Sequence, residues 1–127
     1  MTSGGAAPLR LKNRKDFLAA SRGGRRHAAD FVLQVRDRGD APAPARFGLT
    51  ITKKTVPLAV RRNRIRRRFR EALRQGAALS AALGHDYVFV AREGAVDAPF
   101  DRLLSDMSAA LAAPPRERRP KSRPVSS

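Results

Sequence analysis

The residues of this chain whose types and spacing could do chemistry are cations. Between Lys53 and Arg70 stand Lys53, Lys54, Arg61, Arg62, Arg64, Arg66, Arg67, Arg68 and Arg70, with Asn63 among them and no acidic residue. Such a run binds anions. From Arg61 onward every cation in it is arginine, whose planar fork grips phosphate through paired hydrogen bonds and stacks on bases, so the run points to nucleic acid. Groups for making and breaking bonds are not visible. An ordinary enzyme needs a nucleophile with its base, a metal cluster or two carboxylates held together. The eleven acids are scattered without the spacing of a divalent-metal site. His27 and His85 are isolated and read as surface residues or loop hydrogen bonders, and Gly23-Gly24 lacks the Lys-Ser/Thr that completes a P-loop. The pattern favours a binder that supports chemistry performed elsewhere.

Composition narrows the partner. A formal charge of +16 on 127 residues exceeds what solubility requires and attracts polyanions. RNA, DNA and an acidic membrane are the possible partners. A membrane is the weakest, because no apolar stretch approaches the roughly 20 residues that cross a bilayer. The first ten residues lack the apolar core of a secretion signal. There is no cysteine, hence no disulfide framework or thiolate metal site, which is compatible with a reducing cytoplasm.

The elements that must position the arginines follow from periodicity. Residues 1–8 are small and Gly-bearing and read as a flexible N-terminus. Asn13 stands as an N-cap before a short helix, Arg14 to Ser21, that displays Phe17 and Leu18 and stops at Gly23-Gly24. Asp30 to Arg36 reads as a strand, Asp37 to Ala45 as a loop, and Arg46 to Thr52 as a second strand with Phe47, Leu49 and Ile51 on one face. The opposite faces carry Gln34, Arg36, Arg46, Thr50 and Thr52. This half-polar face is either simply wet or a binding floor.

Leu58 to Gln75 reads as a long helix ended by Gly76, with Leu58, Ile65, Phe69, Ala72 and Leu73 in one apolar stripe. Arg62, Arg66, Arg70 and Arg74 form a ridge beside the stripe, and Arg61, Arg64 and Arg68 take the far flank. Like charges four apart repel, so a helix that carries them without interleaved acids meets its counterions on a partner. Ala77 to Leu83 reads as a weaker helix or turn, Tyr87 to Ala91 as a buried third strand and Pro99 to Ala112 as a final helix. Residues 113–127, rich in Pro, Arg and Ser, cannot bury enough surface to fold and read as a disordered basic tail. One domain, residues 9–112, remains.

The ordered set Arg46-Phe47-Gly48-Leu49-Thr50-Ile51-Thr52-Lys53-Lys54, Ala59-Val60-Arg61-Arg62-Asn63-Arg64, then Asp86-Tyr87-Val88-Phe89-Val90-Ala91-Arg92 resembles the protein component of bacterial ribonuclease P. The resemblance spans about Leu9 to Leu111. It implies an α/β sandwich with a small mixed sheet, about three helices and a left-handed βαβ crossover, where general rules would give a right-handed one. It also implies a subunit that joins a catalytic RNA and helps remove the 5′ leader of precursor tRNA, with the RNA and its Mg²⁺ carrying the chemistry and no cofactor or small-molecule substrate on the protein. Carried over by position, Arg62, Asn63, Arg64, Arg66, Arg67 and Arg70 are expected to hold the catalytic RNA. Phe17, Gln34, Thr50, Lys53 and Lys54 are expected to line a cleft for the single-stranded leader. From spacing alone Phe17 reads as ordinary core sooner than as a base stacker, and the resemblance brings the two readings level. Ser21 and Gln34 stand where some relatives carry aromatics, which leaves hydrogen bonds and charge a larger share of leader binding.

Two other classes share part of this pattern. A structural ribosomal protein would have the same charge, basic tail and small α/β domain. A DNA-binding protein could use the arginine helix in a major groove, but the chain has neither zipper heptads nor a paired helix-turn-helix.

Overall fold

The structure, a computed structural model, describes residues 9–112. The flexible N-terminus and basic tail expected at residues 1–8 and 113–127 lie outside the described residues. The chain runs through β1 (Leu9–Arg10), α1 (Arg14–Ser21), β2 (Gly24–His27), β3 (Phe31–Asp37), β4 (Arg46–Thr50), α2 (Ala59–Arg74), β5 (His85–Ala91) and α3 (Phe100–Ala112), with short 3₁₀ turns at Ala77–Ser80 and Glu93–Val96. The strands form one mixed sheet in the order β1-β4-β5-β3-β2. β4 pairs with β5 in parallel, so α2 is the crossover between them, while β5 and β2 pair antiparallel with β3.

Strand alternation gives the sheet two unlike faces. One presents Phe31, Leu33, Val35, Phe47, Tyr87 and Phe89, all buried with Ile65, Phe69 and Ala72 of α2 and Leu103, Met107 and Leu111 of α3. Phe31 meets Phe69 and Phe89 edge-on, with ring centroids 5.8 and 5.2 Å apart. Such pairs contribute about 0.5–1.5 kcal/mol beyond the area they bury. The other face is covered by α1 through a smaller cluster, Leu11, Ala20 and Val88, with Phe17 and Val90 packed against it.

Several elements differ from the sequence expectation. β1 and β2 are both strands that periodicity misses, since two residues and a Gly-Arg-Arg-His segment carry no alternating pattern. They exist because β4 and β3 offer them edges. Gly24 therefore opens a strand where a simple stop was expected. β4 ends at Thr50, and Thr52 closes a turn instead, its Oγ1 accepting from the Thr55 N–H at 3.1 Å. α2 begins at Ala59, so Leu58 leaves the apolar stripe and stands exposed in the cap position. α2 does stop at Gly76, whose φ of +136° is open to glycine and strained for other residues. Asn13 occupies the cap of α1 with its backbone alone, its carbonyl accepting from Asp16 and Phe17 N–H. His85 is buried within β5 with Nδ1 2.8 Å from the Leu83 carbonyl, so of its two readings the surface residue fails and the loop hydrogen bonder holds.

Candidate nucleic-acid interface

α2 is fastened to the domain by Ile65, Phe69 and Ala72, at the three- and four-residue spacing that keeps side chains on one helix face. The remaining positions divide by what their side chains touch. Arg62 Nη1 donates to the carbonyls of Val56 at 3.0 Å and Pro57 at 2.8 Å, tying the helix start to the turn before it. Arg64 Nε donates to the Val96 carbonyl at 2.9 Å, and Arg68 donates to Val96 and Ala98 carbonyls. Arg68 is therefore half-buried, and desolvation followed by the neighbouring Arg64 charge pushes its pKa down. The far flank expected to be free is in part an anchor: these guanidiniums hold the Glu93–Val96 turn against α2.

The outward face is different. Asn63, Arg66, Arg67 and Arg70 are exposed. Arg66 donates to Asn63 Oδ1 at 2.8 Å, which orders the pair. Arg67 and Arg70 make no hydrogen bond or ion pair among the described residues. No acid lies between Asp40 and Glu71, so nothing along this stretch of chain neutralises them. Such a face can do one thing well, which is bind a polyanion through several phosphates.

The second group of expected residues comes together on the other face of the sheet. Phe17 lies across Gly48, close enough that a Cβ at residue 48 would stand 2.6 Å from its ring. Glycine at that point is what lets the ring rest on β4. The core reading of Phe17 holds in part: the ring packs against the small core cluster and stays half-buried. Thr50 is two residues along the same face of β4, and Gln34 lies in the same row as Gly48 with Val88 between them. Lys53 and Lys54 stand exposed in the turn from β4 to α2. They sit between the two surfaces, because α1 and α2 cover opposite faces of the sheet.

Sequence reading missed the ionic centre beneath α1. Asp86 of β5 is fully buried, and Arg46 of β4 grips it with Nε and Nη2, both at 2.8 Å. Arg38 Nη1 donates to the same carboxylate at 2.6 Å, and Arg36 lies 3.6 Å away. Burial pushes the Asp86 pKa up, but the hydrogen bonds from Arg46 and Arg38 and their charges outweigh it and hold the carboxyl below its ordinary value. Asp16 of α1 completes the cluster, 3.4 Å from Arg36 and 3.5 Å from Arg46. The cluster thus joins three strands to α1 and orients the helix that carries Phe17. The usable signal was a register one: Arg46, Asp86 and Arg36 are cross-strand neighbours once the strands are paired.

Comparison with known proteins decides the family. A family model described as Ribonuclease P matches residues 6–114. The chain belongs to the ribonuclease P protein family. It is 43% identical over 106 residues to the ribonuclease P protein component of Bartonella quintana, covering 80% of this chain and 79% of that one. It is 42% identical over 112 residues to that of Brucella suis, covering 83% and 79%. Among solved structures, the ribonuclease P protein from Thermotoga maritima superposes with a TM-score of 0.69 at 27% identity, over 81% of this chain and 94% of that one. The Staphylococcus aureus protein gives 0.66 at 26%, over 81% and 92%. The α/β fold expected from the sequence is the fold of these ribonuclease P proteins, and the chain is the protein subunit of a ribonucleoprotein endoribonuclease that processes tRNA 5′ ends. The ribosomal and DNA-binding readings fall away.

Proposed function

We propose that the two surfaces divide the subunit's work. The outward face of α2, with Asn63, Arg66, Arg67 and Arg70 at its centre and Arg62 and Arg64 at its borders, binds the catalytic RNA. The open part of the α1 face, with Phe17, Gln34 and Thr50 and the lysines Lys53 and Lys54 at its rim, holds the 5′ leader of precursor tRNA. The observation that carries this division is that acid-free arginines and a half-buried aromatic occupy opposite sides of one sheet. A folded RNA can meet the first while a single strand lies on the second, where stacking contributes roughly 1–3 kcal/mol per base and cations track the backbone.

The RNA and its Mg²⁺ then perform the hydrolysis. Among the described residues no three His, Asp or Glu side chains converge as an ion's ligands. The buried carboxylates Asp86 and Asp30 are already held by arginine. The protein's contribution is to bind, orient and neutralise phosphates. No described helix is long and apolar enough to cross a membrane, and the subunit is assigned to the cytoplasm, where its RNA and precursor tRNA are made.

The test is reconstitution with the catalytic RNA. Phe17→Ala should weaken precursor tRNA binding about 5- to 150-fold, the range of one lost stacked base, and leave mature tRNA binding unchanged. A folded variant that separates the two tRNAs as well as the parent does would make Phe17 core alone.

A further inference from the structure

Two apolar side chains stand on the cationic surface, and none of the described residues covers them. Leu58 is 60% exposed and Val60 is 68% exposed. Leu58 occupies the cap position of α2, and no side chain caps that helix. Ser, Thr, Asp or Asn there would satisfy a backbone N–H, whereas Leu satisfies none. Val60 follows in the first helical turn, where a β-branched residue loses rotamer freedom and gains nothing from burial. At about 100° per residue, Val60 lies on the line of Arg67, with Asn63 and Arg64 on either side one turn on. It is at the centre of the outward face.

What could cover this pair is restricted by charge. Lys53 and Lys54 precede it, Arg61 and Arg64 follow, and no acid is present from residue 41 to residue 70. A second copy of the chain would bring like charge against like charge. The apolar stripe of α2 is already buried in the domain, so the helix has no second stripe with which to enter a lipid surface. A partner that is anionic along its backbone and apolar on a face is a nucleotide whose base has left its stack.

We propose that Leu58 and Val60 form an apolar step that seats an unstacked base of the catalytic RNA, while the adjoining cations take the flanking phosphates. The step rests on the assignment of α2 to that RNA and adds to it a fixed register: arginines alone tolerate sliding along a phosphate backbone, whereas one base in one seat does not.

The test is a double variant, Leu58→Ser with Val60→Ser, in the full chain. Binding to the catalytic RNA is measured across a salt series, together with thermal unfolding. Serine at residue 58 caps the helix, so the unfolding temperature should not fall. Affinity should drop about 5- to 10-fold at every salt concentration, with the slope of log K against log salt unchanged, because every bound phosphate keeps its cation. A base in the RNA protected from base-directed chemical modification by the parent should become reactive with the variant. Equal affinity of parent and variant, or no base with this behaviour, overturns the step while leaving the α2 assignment intact. A parent that fails to bind the RNA overturns both. A parent dimer that the variant dissolves would give the pair to a second copy and also overturn the step.

Discussion

Arginines do opposite work in two regions of this molecule. Around Asp86, Arg38 and Arg46 are drawn inward by a buried carboxylate, with Arg36 beside them, and their charges hold strands and α1 together. On the outward face of α2, Arg67 and Arg70 make no ion pair among the described residues, since the nearby Glu71 is held by Arg74 and Gln75. Residue type, helix or strand propensity and total charge do not separate the two groups. What separates them is whether a carboxylate lies across a strand pair, and that is decided by register.

The strongest way to break this contrast is to remove the acid. Asp86→Asn leaves the inward guanidiniums without their counterion and should destabilise the fold by about 3 kcal/mol, the lower end for breaking a buried pair because Arg36 and Arg46 keep some access to water. The midpoint of urea unfolding measures it. Acid should reproduce the effect in the parent. Because the native pKa of Asp86 lies below its unfolded value, its contribution is complete above the ordinary carboxylate range and drains away as pH falls through the native value. The asparagine variant should therefore lose less stability than the parent as pH falls through and below the ordinary carboxylate range. Equal acid sensitivity would remove Asp86 from the centre of the network.

A smaller effect is expected at the border of the two groups. Arg68 lies on α2 but behaves as an inward arginine, since its donors satisfy the Val96 and Ala98 carbonyls. Arg68→Ala should cost about 1–2 kcal/mol of stability and leave the salt slope of RNA binding unchanged. A reduced slope with unaltered stability would move Arg68 to the RNA face.

Much of this was legible before the fold was seen, and the limits have physical causes. The three helices, β3, β4 and β5 follow from periodicity, because each buries one face of a long enough segment. β1 and β2 do not, because an edge strand of two to four residues takes its order from the neighbour it pairs with. The outward arginines could be read from their number and from the absence of acids between Asp40 and Glu71. The inward ones could not, since Arg46 and Asp86 are 40 residues apart and meet only through the parallel pairing of β4 with β5. The half-buried seat of Phe17 likewise needed Gly48, whose missing side chain makes room for the ring.

The smallest effect on folding is expected where the contrast is sharpest. Arg67→Ala and Arg70→Ala remove charges that no described residue uses, so each should leave stability within about 0.5 kcal/mol of the parent. Each should nevertheless lower the slope of log K against log salt by about one unit for the catalytic RNA, as happens when one phosphate no longer meets a guanidinium. If both slopes stay at the parent value, the outward arginines are solvated charges and the RNA lies elsewhere. If the slopes fall and stability holds, the counterions withheld from α2 within the domain are the phosphates of its partner.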